Sequence, residues 1–174
     1  MNFNIEEGRY IILGSVDGLL ATLGIIIGVS IGNVKNSIVV GAALGGAIAL
    51  AMTNSLGAYL AESAVEYGKL TATEKSLLRK LENTYVESLT RRKIMRDSAA
   101  HGVSSFIGSL VPISPYLLST GSPIMSIVLS LIALALLGFY SGFISKRNYI
   151  ISIIKMVVLG MIVVIMVNVL KLGR

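Results

Sequence analysis

Three observations predict an all-α, polytopic membrane protein. Hydrophobic residues make up 54% of the 174 positions and charged ones 14%, and the mean hydropathy of +0.81 is far above that of a soluble domain of this size. Whole windows of about 20 residues lack the polar positions that a helix on a soluble core must present. The same windows do not alternate apolar and polar residues in runs of about ten, as strands of a membrane barrel do.

Five spans are expected, at residues 10–31, 37–61, 99–120, 123–144 and 149–170, each near the roughly 20 residues that a helix needs to cross hydrocarbon. The first lies in "GRYIILGSVDGLLATLGIIIGVSIG" and is preceded by Glu6 and Glu7. It is longer than a signal-peptide core and has no basic leader, so it is expected to be retained. The second is rich in Gly and Ala. The third carries His101, a run of serines, and Pro112 and Pro115 in "GSLVPISPYLL", which predict a broken or kinked helix near its outer end. The fourth and fifth are almost wholly apolar.

Residues 62–98 are the only long polar stretch, an insertion within a single membrane domain of residues 1–174. Thr71 with Glu74 has the spacing of a capping box, and Leu77, Leu78, Leu81, Tyr85 and Leu89 follow at helical spacing, so a cytoplasmic amphipathic helix is expected between the second and third spans. Glu87 and Arg91 add an i, i+4 pair, and the basic cluster 91–96 suits an anionic membrane surface. The segment reads as a solvated connector on lipid headgroups, or as a cation-attracting element through Glu66, Glu74, Glu82 and Glu87, which needs oxygen ligands converging on one point.

Orientation follows from Lys and Arg. With five spans, one side holds Arg9, the basic residues of 62–98, Lys146 and Arg147, with Lys155 close enough to snorkel there, while the other holds Lys35, Lys171 and Arg174. Twelve of the 15 basic residues against three make the N-terminus cytoplasmic and the C-terminus external, in a cell membrane. The net charge of +6 then reports topology, and no nucleic-acid partner is needed to explain it.

Several chemistries are not supported. The chain has no cysteine, so disulfides, zinc thiolates and redox dithiols are excluded. No phosphate loop, nucleophile elbow or zincin motif is present, so no enzyme activity and no resident cofactor are expected. The seven methionines are scattered and read as packing. His101 stands alone at the start of the third span and reads as an interfacial structural residue.

One charge inside the apolar runs asks for an explanation. A carboxylate deep in hydrocarbon costs about 2.5–3.5 kcal/mol on insertion scales, so it normally faces a cavity or a partner. Asp17 lies about 10 Å below the cytoplasmic interface, counting about 1.5 Å per residue. Asn54 on the antiparallel second span reaches a similar depth, and Asn54, Ala58, Glu62 and Glu66 follow at i+4 intervals. That pattern suits a cation path with Glu62 and Glu66 as a funnel, Asp17 as the buried anionic ligand and Asn54 as a neutral oxygen ligand. The other reading is a neutral or hydrogen-bonded Asp17, held by Ser15, Thr22 or Asn54, that pins helices together. Gly14 and Gly18, Gly24, Gly28 and Gly32, and Gly41 and Gly45 sit four apart, the spacing of close helix contacts within or between subunits. Five helices are thin walls for a pathway, and a homodimer with the path at or near its interface is the simplest remedy.

The elements "SVDGLLATLGIIIGV", "GAYLAES", the charged insertion, "GSLVPISPYLL" and "KMVVLGMIVVIMVNVLKLG" resemble, in that order, the vacuolar iron transporter family and its small prokaryotic relatives. The resemblance implies a five-helix protomer, a homodimer, and proton-coupled export of ferrous iron or manganese. It puts the family's first-span aspartate on Asp17. The family's Met-x-x-Gly-Glu-Tyr pattern falls on "NSLGAYL", so Asn54 stands where the methionine is and Ala58 where the glutamate is. An amide in place of a thioether favours a harder ion such as manganese or magnesium. The insertion is shorter and poorer in acids than the metal-binding hairpin of iron-loading members. A transport-inactive, membrane-embedded structural or interaction protein of the same fold is the alternative.

Overall fold

The computed structural model describes residues 5–30, 34–118, 121–146 and 148–172. Arg147, Arg174 and Gly32, and the expected ends of the first and third spans at 31 and 120, lie outside them. Five helices account for nearly all described residues: α1 (Ile5–Val29), α2 (Asn36–Leu77), α3 (Tyr85–Leu117), α4 (Pro123–Ile144) and α5 (Tyr149–Leu172).

Helices α1, α2, α4 and α5 are long and apolar enough to cross a bilayer, while α3 is not among them. The reason lies in where α3 sits. It packs between α1 and α2 and also touches α4, and its Ser98, Ser104, Ser105 and Ser109 are buried. Residues shielded by neighbouring helices need not be apolar, so the most enclosed helix is the least hydrophobic one.

Glycine notches let these helices approach. A side-chain carbon on Gly18 would run into the carbonyl oxygen of Ser105, and one on Gly102 into the Ser55 hydroxyl and, at 2.7 Å, the Ala51 carbonyl oxygen. Gly28, Gly41 and Gly45 meet nothing within 4 Å, so their spacing serves no contact among the described residues of the chain.

The contacts also fix direction. Tyr10 of α1 lies beside Ser104 of α3, and Ser30, just past α1, shares a 2.8 Å hydrogen bond with Tyr116, so α1 and α3 run parallel. Helix α2 runs against both, with Val39 and Ala43 in a buried cluster with Ile26, Ile113 and Tyr116 at one end and Glu62 beside Tyr10 at the other. Helix α4 also runs antiparallel: Ser126 donates to the Pro112 carbonyl at 2.7 Å, and Ile144 reaches Gly8. Helix α5 returns along α4 through Gly138, Gly142 and Gly160, and its Val163 and Val167 reach Gly24 of α1.

Two sequence expectations change. The two prolines do not break α3, which stays helical through both to Leu117. Pro115 removes the amide that would bond the Val111 carbonyl, and the Ser114 hydroxyl takes its place at 2.8 Å. Segment 62–98 does not form a helix of its own. Its first part extends α2, whose 42 residues span about 63 Å, and its last part begins α3, so the two form a hairpin with a turn at 78–84.

Thr71 accordingly caps nothing; its hydroxyl bonds the Tyr67 carbonyl inside α2. The helix start is at Thr84, whose side chain accepts from Glu87 N, while the Glu87 carboxylate accepts from Asn83 N at 2.6 Å. Thr84-x-x-Glu87 has the same capping spacing, thirteen residues further on. Glu74 closes the turn from the other side by accepting from Leu81 N at 2.7 Å, and Leu78 ends α2 in the left-handed region at φ 51°.

Candidate functional site

Asp17 of α1, Asn54 of α2, and His101 and Ser105 of α3 meet in one place. Asn54 Nδ2 donates to Ser105 Oγ at 3.0 Å and to Asp17 Oδ2 at a long 3.4 Å. His101 Nε2 lies 3.8 Å from the same Asp17 oxygen. The notches at Gly14 and Gly18 bring α1 onto this stretch of α3: a side-chain carbon on Gly14 would meet the His101 carbonyl and the Ser104 hydroxyl.

The two faces of Asp17 differ. Its inner side meets Asn54 and His101, yet the side chain is 49% exposed, on the outside of the bundle in the middle of an apolar helix. His101 is 16% exposed, and both ring nitrogens are buried without a hydrogen-bond partner among the described residues. A buried polar group without a partner costs about 1–3 kcal/mol. The ring leans on Tyr10 at 5.7 Å, a contact that satisfies its carbon face and neither nitrogen.

Glu62 and Glu66 lie on the same face of α2, one and two turns beyond the buried Ala58, and both are engaged. Glu62 accepts a hydrogen bond from the Tyr10 hydroxyl, which also accepts from Arg9 Nη2 at 3.3 Å. Glu66 is paired with Lys69 at 2.7 Å and Lys93 at 3.2 Å. It lies beyond the apolar part of α2, and the Lys69 hydrogen bond, helped by Lys93, holds its carboxyl below the usual carboxylate range against the opposing effect of burial.

With Asp97, which is 1% exposed, these groups line a cavity of about 220 Å³. Three carboxylates there, Glu62, Glu66 and Asp97, face three cations, Arg9, Lys69 and Lys93. The expected acidic funnel is therefore a charge-balanced cluster. Among the described residues no group of three or more His, Asp or Glu side chains gathers as a metal site would.

The structure thus brings Asp17 and Asn54 together, as expected, and sets Glu62 and Glu66 in a neighbouring cluster. Sequence reasoning treated His101 as structural and did not single out Ser105, Tyr10 or Asp97. A signal was present: Asp97, His101 and Ser105 repeat every four residues and put one polar stripe on α3.

A bundle of apolar helices with a carboxylate, an amide and an imidazole gathered between three of them defines a polytopic membrane protein. A family model, that of the VIT family, matches residues 69–170. The uncharacterized protein MJ0645 of Methanocaldococcus jannaschii is 40% identical over 162 residues, covering 88% of this chain and 83% of that one. The chain belongs to the VIT family, the vacuolar iron transporter family, which points to membrane metal-ion transport at the level of the family.

Proposed function

We propose that the protein carries a divalent metal cation, ferrous iron or manganese, out of the cytoplasm in exchange for protons, as a homodimer in the cell membrane. It is a carrier and not an enzyme, and the metal is its cargo, with no resident cofactor. In this reading all five helices span. Support for counting α3 is its course alongside α1 from Tyr10 to Ser30, which takes it through the same layer. The basic residues of the α2–α3 hairpin then lie in the cytoplasm, with the N-terminus on that side and the C-terminus outside.

The observation that carries the reading is the half-exposed Asp17. A carboxylate on the outer face of a membrane helix cannot be left to lipid. A second copy related by a twofold axis near this face covers it, and two such faces enclose a path that one protomer leaves open. Asp17 holds the ion there with Asn54, and protonation of Asp17 releases it. The Glu62–Glu66–Asp97 cluster stands at the cytoplasmic end, where an incoming cation displaces Lys69 or Lys93 from Glu66.

The test is flux of Mn²⁺ and Fe²⁺ into proteoliposomes with and without a proton gradient, for wild type and Asp17→Asn. Proton-dependent flux that Asp17→Asn abolishes in folded protein supports the carrier. Absence of flux in folded, dimeric wild type refutes it and leaves the structural or interaction role, a reading favoured by the lack of a three-ligand cluster among the described residues.

A further inference from the structure

We infer that His101 is a nitrogen ligand of the ion held at Asp17, which makes the site selective for first-row transition dications over magnesium and calcium. This rests on the reading of Asp17 as a cation ligand. The separation of 3.8 Å between His101 Nε2 and Asp17 Oδ2 is too long for a hydrogen bond. It is short enough to share an ion, because two ligand atoms each about 2.1 Å from a metal lie at most about 4.2 Å apart. Asn54 Nδ2, 3.4 Å from the same oxygen, is within that limit too, and turning the amide over presents its oxygen there.

The surroundings of the imidazole point the same way. A structural histidine normally spends at least one ring nitrogen on a hydrogen bond, and both nitrogens of His101 are buried without one. Tyr10 packs against the ring and directs its own hydroxyl to Glu62. The Ser104 hydroxyl bonds the backbone carbonyls of His101 and Tyr10. Asp17 Oδ2 lies 3.8 Å from Nε2, and the arrangement suits a cation between them.

The chemistry follows from the donor set. Carboxylate and amide oxygens alone accept magnesium, calcium and manganese alike, whereas an imidazole nitrogen favours first-row transition dications over the alkaline earths, iron, cobalt and zinc more strongly than manganese. The amide at position 54 on its own pointed toward harder ions; His101 moves the preference back.

His101 is the only histidine in the chain, so a histidine-specific label reports on one residue. The experiment uses full-length protein purified without a polyhistidine tag, placed in lipid nanodiscs and loaded with Mn²⁺. Electron spin echo modulation of the bound Mn²⁺ is expected to show an imidazole ¹⁴N coupling that changes to the ¹⁵N pattern when histidine is ¹⁵N-labelled. His101→Gln is expected to weaken Mn²⁺ binding more than Mg²⁺ binding, so that the ratio of the two affinities falls. Mn²⁺ binding that needs Asp17 but shows no histidine nitrogen would overturn the inference and leave the carrier reading intact. Absence of any binding that Asp17→Asn removes would overturn both.

Discussion

The contact between α1 and α3 at Gly18 can be tested by adding one carbon. In Gly18→Ala the new atom would lie inside the Ser105 carbonyl oxygen and 2.9 Å from the carbonyl carbon, against about 3.4 Å for an ordinary contact. Backbone cannot rotate away as a side chain can, so α1 must move off α3. Overpacking of this kind costs about 1–3 kcal/mol, with the upper end apt where backbone is struck. Alanine returns about 1 kcal/mol in helix propensity, leaving about 2 kcal/mol of net loss. Gly68→Ala, on the protruding part of α2 with nothing within 4 Å, keeps only the gain, so the two variants should differ by about 3 kcal/mol. Asp17 is the next residue, and a shift of about 1 Å there costs up to about 100-fold in rate. Denaturant titration in detergent and Mn²⁺ flux measure the two effects. Wild-type stability together with wild-type flux in Gly18→Ala would refute the close backbone approach, and with it the placement of Asp17 against His101 and Asn54.

Two further outcomes concern the hairpin. Leu78 ends α2 at φ 51° and is 95% exposed, so Leu78→Gly removes left-handed strain without losing packing and should stabilise by about 1 kcal/mol, read as a raised midpoint in the same titration. Glu66 titrates below its ordinary 4.5 because Lys69 and Lys93 favour its charged form. A depressed folded-state value means that the carboxylate stabilises the fold above pH 4.5 and loses that contribution as the pH falls through its folded value. Glu66→Gln should therefore lower the melting temperature at pH 6–7, and the gap from wild type should close under acid; a gap independent of pH would count against the ion pairs.

The elements legible in the sequence were those set by one helix at a time. Helices α4 and α5 were visible as unbroken apolar runs, and the depths of Asp17 and Asn54 followed from rise per residue, because antiparallel helices bring equal depths together. The hairpin was misread for a local reason: Thr71–Glu74 and Thr84–Glu87 have the same spacing, and only the chain reversal at 78–84 decides which caps a helix. The role of His101 is only half legible, for a nonlocal reason: the Asp97–His101–Ser105 stripe marks its face of α3, but what that face meets depends on Gly14 and Gly18 of another helix, whose missing side chains admit it to Asp17.

The polarity of α3 and the openness of Asp17 belong to one arrangement. Serines are tolerated on α3 because α1 and α2 cover them, and that coverage uses the face of α1 carrying Gly14 and Gly18. Leu13, Asp17 and Ala21 lie about a quarter turn round the helix from those glycines, at the edge of that face, and are exposed. If Asp17 served only to pin α1 to α3, it belonged on the glycine face, where Ser105 and Ser109 offer hydroxyls. Its position at the edge, reaching Asn54 and His101 inward while remaining half open outward, fits the proposed carrier, in which the ion would arrive and leave along a surface between two copies.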